Sequence, residues 1–114
     1  MNDPLSPGAL ARLAGELYAH AAPGLRWRMQ LRPLICPFRP LIEAVPPDSI
    51  VLDAGCGAGL LLALLSRFQR IRSGTGFDAS QPAIDAARLM AGQRCGFSPL
   101  AFHVHSGFPG SLAG

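Results

Sequence analysis

The sequence predicts an α/β fold: about three parallel strands with flanking helices, preceded by helices at the amino end. Three stretches predict it. Ile50-Val51-Leu52 is a short apolar run of the kind that forms a buried strand, and it leads through Gly55, Gly57 and Gly59 into an apolar helical segment, Leu60–Phe68. Gly76-Phe77-Asp78-Ala79-Ser80 has the form of a second strand end running into a helix cap. Pro99–His105 alternates Leu100, Phe102 and Val104 with Ala101, His103 and His105, as a third strand does. Strand, glycine turn and helix in that order hold a nucleotide-like ligand at the carboxyl end of a parallel sheet.

The whole chain sets the limits. With 114 residues it is one small domain at most. A content of 49% hydrophobic and 15% charged residues is globular rather than disordered. All ten positive charges are arginine, and the net charge of +3 is mild. Nucleic-acid binding needs clustered phosphate contacts, so it is not expected. Cys36, Cys56 and Cys95 are odd in number and form no C-x-x-C pair, which fits a reducing cytoplasm better than a disulfide framework. Asp3, Pro4 and Pro7 stand where an export signal needs a basic and then an apolar region. The longest apolar run, Gly59–Leu65, is far too short to span a bilayer, so no membrane partner is expected.

At the amino end, Ser6 caps and Pro7 starts a helix expected over 7–21, with Leu10, Leu13, Leu17 and Tyr18 on one face. Pro23-Gly24 should end it. Arg26, Trp27, Arg28 and Arg32 follow. This basic stretch either meets an acidic or phosphate-bearing acceptor or is a solvated face with Trp27 buried as an anchor, and the second is the expectation. Pro33, Pro37 and Pro40 interrupt helical spacing, so two short pieces are expected, the second from about Pro37 to just before Pro46-Pro47. Asp48-Ser49 turns the chain into the first strand.

The helix after the glycines is apolar nearly all round and should be buried on more than one side. Gln69–Gly74 is read as a polar connection and Thr75–Asp78 as a short second strand. Ser80 then caps a helix over about 81–90, with Ala83, Ile84, Ala87 and Met90 or Ala91 inward and Gly92 at its end. His103 and His105 share a strand face, but no third ligand is near and no metal site is expected.

The glycine spacing narrows the ligand. A dinucleotide fingerprint, G-x-G-x-x-G counted from Gly55, needs glycine where Leu60 stands. The pattern is instead D-x-G-x-G-x-G, Asp53 to Gly59. It resembles motif I of the class I S-adenosylmethionine-dependent methyltransferases. Asp78 resembles the acid that ends the second strand in that family and binds the ribose hydroxyls. It follows Gly59 after one helix and a short strand, close to the rule for dinucleotide folds of about 20 residues.

The resemblance implies a partial Rossmann-like class I methyltransferase fold over residues 49–114, led by an N-terminal helical extension over 1–48. It implies S-adenosyl-L-methionine as cofactor, contacted by Asp53, Ala54, Gly55, Cys56, Gly57 and Gly59 and by Asp78, Ala79 and Ser80. Asp53 would hold the methionine amino group; read from the residues alone, it can equally cap the turn. Asp78 would take the ribose diol, and the alternative is an acid favoured by the next helix dipole. Ala79 is small enough for adenine to lie against it. Cys56 is read as a small turn residue, since no base stands beside it. The family's acid after the third strand is missing, with His105-Ser106-Gly107-Phe108 in its place, and Ser106 is the substitute acceptor.

No catalytic residue can be named, and the acceptor, a small molecule or otherwise, stays open. Only the cofactor-binding half of the family fold is expected, as from a truncated product. That leaves a strand edge which a second copy or a partner polypeptide would complete. A non-catalytic S-adenosylmethionine-binding module, a functionless gene fragment and a fragment of an NAD-binding oxidoreductase are the alternatives.

Overall fold

The computed structural model describes residues 3–92 and 98–105. Its elements run α1 (Pro7–Leu17), α2 (Pro23–Ile35), α3 (Phe38–Ala44), β1 (Ser49–Ala54), α4 (Leu60–Arg67), β2 (Ile71–Asp78), α5 (Gln81–Gly92) and β3 (Leu100–Val104).

At the start of α1, Ser6 Oγ accepts from the Ala9 N–H at 3.2 Å and Pro7 takes the first turn, where its missing N–H costs nothing. The helix stops at Leu17, short of the expected 21. Tyr18 leaves helical geometry there, and its ring enters the core at 1% exposure. Pro23-Gly24 does more than terminate: Pro23 opens α2, which runs through Pro33 to Ile35. Pro33 falls in the last turn, so one backbone bond is lost near the helix end and its buried ring packs inward. The break into two helical pieces before Pro46 is as expected, though the first is longer. Trp27 corrects the anchor reading. It is 63% exposed, because α2 turns Met29 and Pro33 to the core instead.

The sheet is parallel throughout, in the order β1-β2-β3, with Leu52 beside Thr75 and Phe77 beside His103. β2 begins at Ile71, so Ile71–Gly74 is strand rather than connection. Its residues pair with Ser49–Val51 on one side, and Gly74 pairs with Leu100 on the other. The two crossovers place α4 and α5 on one face of the sheet, as right-handed connections do. On that face Gly74 lies under Leu62, and Gly76 lies beside Cys56 and Phe102. α4 is buried nearly all round, with Leu60, Leu62, Ala63, Leu64 and Leu65 in a core shared with α1, α2 and α3. On the other face Ile50 and Leu52 are exposed. Phe77, also on that face, is covered by the rings of His103 and His105 at centroid distances of 5.6 and 5.3 Å. Covering Phe77 is the role the structure gives the two histidines.

Candidate functional site

The carboxyl ends of β1 and β2 meet at the glycine loop. Phe77 O accepts from both Gly55 N (2.7 Å) and Cys56 N (2.9 Å), which folds the loop back over β2. Gly55, Gly57 and Gly59 all have positive φ, at 74°, 58° and 86°, a region that L residues with a Cβ enter at a cost. Their surroundings differ. Among the described residues, a Cβ on Gly55 or Gly57 would meet nothing within 4 Å, whereas one on Gly59 would stand 2.7 Å from the Phe102 ring.

Asp78 ties this loop to the next turn. Its Oδ2 accepts from Gly57 N at 2.9 Å and its Oδ1 from Ser80 N at 2.8 Å. Ser80 Oγ accepts from Ala83 N at 3.3 Å, the helix cap its sequence position implies. Both Asp78 oxygens are thus held by backbone donors, one of them in the turn that opens α5. Each carboxylate oxygen keeps capacity for a second donor. α4 starts without a side-chain cap, so the first-turn N–H groups of Leu60 and Leu61 have no intrahelical acceptor.

A cavity of about 890 Å³ opens between this loop and the N-terminal helices, within the usual range for small-molecule sites. Of the residues singled out from the sequence, Asp53, Gly55, Cys56, Gly57 and Ser80 line it. Ala54, Gly59, Asp78 and Ala79 are not among the residues lining it; Asp78 is bonded to Gly57 N at its margin and Gly59 is turned into the core. Ser106 and Cys95 lie outside the described residues.

The opposite wall includes part of the basic stretch for which the sequence left an acidic or phosphate-bearing acceptor open beside the expected solvated face. Leu25, Arg28, Met29 and Arg32 of α2 face the cavity, with Phe38 and Leu41 of α3. The helices are fastened to the loop by Tyr18, whose buried hydroxyl donates to Ala58 O at 2.6 Å. Burial, and next the Cys56 thiol, push that hydroxyl far above its usual range, so it stays a donor.

Two groups on the loop wall have shifted protonation. Burial first, and then the charge of Asp78, raise Asp53 above the ordinary carboxylate value. Among the described residues Asp53 has no hydrogen-bond or ion-pair partner. Burial followed by the Asp53 and Asp78 charges pushes the Cys56 thiol up to about 11. A thiol held neutral in this way is not a nucleophile at ordinary pH, which agrees with its reading as a turn residue.

Against known proteins, residues 36–92, half of the chain, match the model of a family described as methionine biosynthesis protein MetW. A search of curated proteins finds no match. Among solved structures, TrmK of M. capricolum, in complex with S-adenosyl-homocysteine, superposes with a TM-score of 0.60 at 10% identity over 68% of this chain. YjhP from E. coli gives 0.52 at 26% identity over 60%. A geranyl diphosphate methyltransferase gives 0.57 at 16% identity over 93%, N-terminal helices included. The fold is thus the Rossmann-like one of the S-adenosylmethionine-dependent methyltransferases. The chain covers 34%, 28% and 44% of these three proteins, less than half of each.

Proposed function

The chain belongs to the family described as methionine biosynthesis protein MetW, and on that premise we propose that it binds S-adenosyl-L-methionine on the glycine loop and serves methyl transfer to an acceptor in the same cavity. One observation carries the reading. Gly55 and Gly57 hold left-handed backbone with empty space where side chains would be, on the wall of an 890 Å³ cavity that also carries Asp53. The left-handed backbone by itself favours glycine there, and among the described residues no side chain fills the space beside either one, which leaves the loop open to close approach of a ligand.

The residues present fit the cofactor. Asp53 is an acceptor without a partner among the described residues, and its proton affinity is raised by burial and by Asp78, so a cationic amino group beside it would relieve both. Asp78 braces Gly57 and Ser80 through one bond per oxygen and takes the ribose hydroxyls with its remaining lone pairs. Ala54 and Cys56 are small enough to keep the loop tight, and Ala79 leaves room for a flat base beside Ser80. The N–H groups of Leu60 and Leu61 offer donors at the cavity wall. When bound, S-adenosylmethionine supplies a methyl group activated by its sulfonium. The protein's part is to orient that methyl toward the acceptor and to exclude water, and most of its rate effect is positional and electrostatic.

Residues 1–48 serve in this reading as a helical extension roofing the cavity, and 49–114 as the cofactor-binding part. β1 pairs only with β2 among the described residues. A second copy or a partner polypeptide at that edge is the proposed complement. The cytoplasm is the proposed compartment, on the cysteine usage. No helix among the described residues is long and apolar enough to cross a membrane.

Calorimetric titration with S-adenosylhomocysteine tests the reading. The parent should bind, and Asp78→Ala should lose about ten- to a hundredfold in affinity, the effect of about 1–3 kcal/mol of hydrogen bonding. A folded parent that takes up no S-adenosylhomocysteine refutes the proposal. Binding of NAD in its place would favour the oxidoreductase alternative.

A further inference from the structure

The cavity has two chemically different walls, and the proposed cofactor accounts for only one. On the loop side stand Asp53 and, from α5, Asp85. On the α2 side stand Arg28 and Arg32, one turn apart at i and i+4. With Leu25 and Met29 they form the i, i+3, i+4, i+7 stripe that α2 turns to the cavity. The neighbouring basic residue is used elsewhere, since Arg26 Nε donates to Gly15 O at 2.8 Å. Trp27 points to solvent. Among the described residues neither Arg28 nor Arg32 makes a hydrogen bond or an ion pair with a carboxylate, although Asp53 and Asp85 line the same cavity. Two guanidiniums have thus been set on the wall of a site without being neutralised by it.

We propose that Arg28 and Arg32 form an anion subsite and that the methyl acceptor is an anionic small molecule, bearing a carboxylate or a phosphate. This rests on the methyltransferase reading above. A guanidinium offers a planar fork of N–H donors that matches either group, and two of them one helical turn apart can bracket a single anion. The apolar partners Leu25 and Met29 would hold the body of such an acceptor against α2, with its far end directed across the cavity at the glycine loop.

The test uses the full chain saturated with S-adenosylhomocysteine and two probes, inorganic phosphate and malonate, titrated calorimetrically. The parent should bind at least one of them, and which one identifies the anion. Arg28→Gln/Arg32→Gln should weaken that binding about tenfold or more, with S-adenosylhomocysteine affinity unchanged within about twofold. Both side chains are exposed, so the variant is expected to fold. The charge-keeping pair Arg28→Lys/Arg32→Lys should recover part of the loss, which a general packing defect would not. Three results overturn the proposal. The first is a parent that takes up S-adenosylhomocysteine but neither anion. The second is a Gln pair that binds the anion as well as the parent does. The third is a Gln pair that loses S-adenosylhomocysteine to the same extent, which would assign the arginines to the cofactor's own carboxylate. If the folded parent does not bind S-adenosylhomocysteine, the cofactor reading fails by itself, and the two anions titrated alone against parent and variant still decide the arginine subsite.

Discussion

Gly57 and Gly59 sit two residues apart in one loop and share a left-handed backbone that favours glycine, yet their surroundings differ. At Gly59 the space is full: a Cβ would stand 2.7 Å from Phe102 and 3.3 Å from Ala87. At Gly57, as at Gly55, no described residue fills the space. The first pair of facts concerns how α5 and β3 close on the loop. The second concerns a site. A motif read as one unit therefore divides into a packing glycine and ligand-facing glycines, and only the tertiary contacts separate them.

Substitution breaks or sharpens this contrast. Gly59→Ala combines left-handed strain of about 1–2 kcal/mol with overpacking of about 1–3 kcal/mol, and urea unfolding should show a loss near their sum. Equal destabilisation by Gly57→Ala would erase the distinction. Gly57→Ala should instead cost about 1–2 kcal/mol of strain alone, yet remove S-adenosylhomocysteine binding in calorimetry while circular dichroism stays native. A variant that binds like the parent would show that the open side of the loop is not where the ligand approaches.

The smallest effect expected has the opposite sign. Asp53 has a raised carboxyl pKa in the folded chain. The native state therefore holds that proton more tightly than the unfolded state does. Stability is greatest below the ordinary carboxylate pKa and falls as pH rises through the window up to the raised value. Asp53→Asn should slightly raise Tm at neutral pH and flatten that pH dependence, while weakening S-adenosylhomocysteine binding. A fall in Tm would mean that Asp53 stabilises the turn rather than waiting for a cation.

The parts legible in the sequence were those governed by local rules. Ser6-Pro7 and Ser80 cap helices because a hydroxyl beside free N–H groups does so in any context. The strand before the glycines and the alternating strand at its far end follow from side-chain periodicity. Local rules misled where a long-range contact outweighed them. Ile71–Gly74 looked like part of a polar, arginine-bearing connection, but pairing to β1 on one side, and of Gly74 to β3 on the other, makes it strand. Trp27 looked like an anchor because of its size, but the rotation of α2 is set by Met29 and Pro33.

By itself, then, the sequence determined the order of strands and helices, the loop that turns on glycine and the acids that flank it, since each depends on neighbours a few residues away. The tertiary structure decided that Asp78 spends one bond from each oxygen on bracing two turns, that Tyr18 fastens the helices to Ala58, and that Arg28 and Arg32 face the same cavity as Asp53. Those arrangements join residues far apart in the chain, and no spacing within a segment encodes which face of a helix will meet a loop formed some 30 residues later, because packing of the shared core sets that rotation.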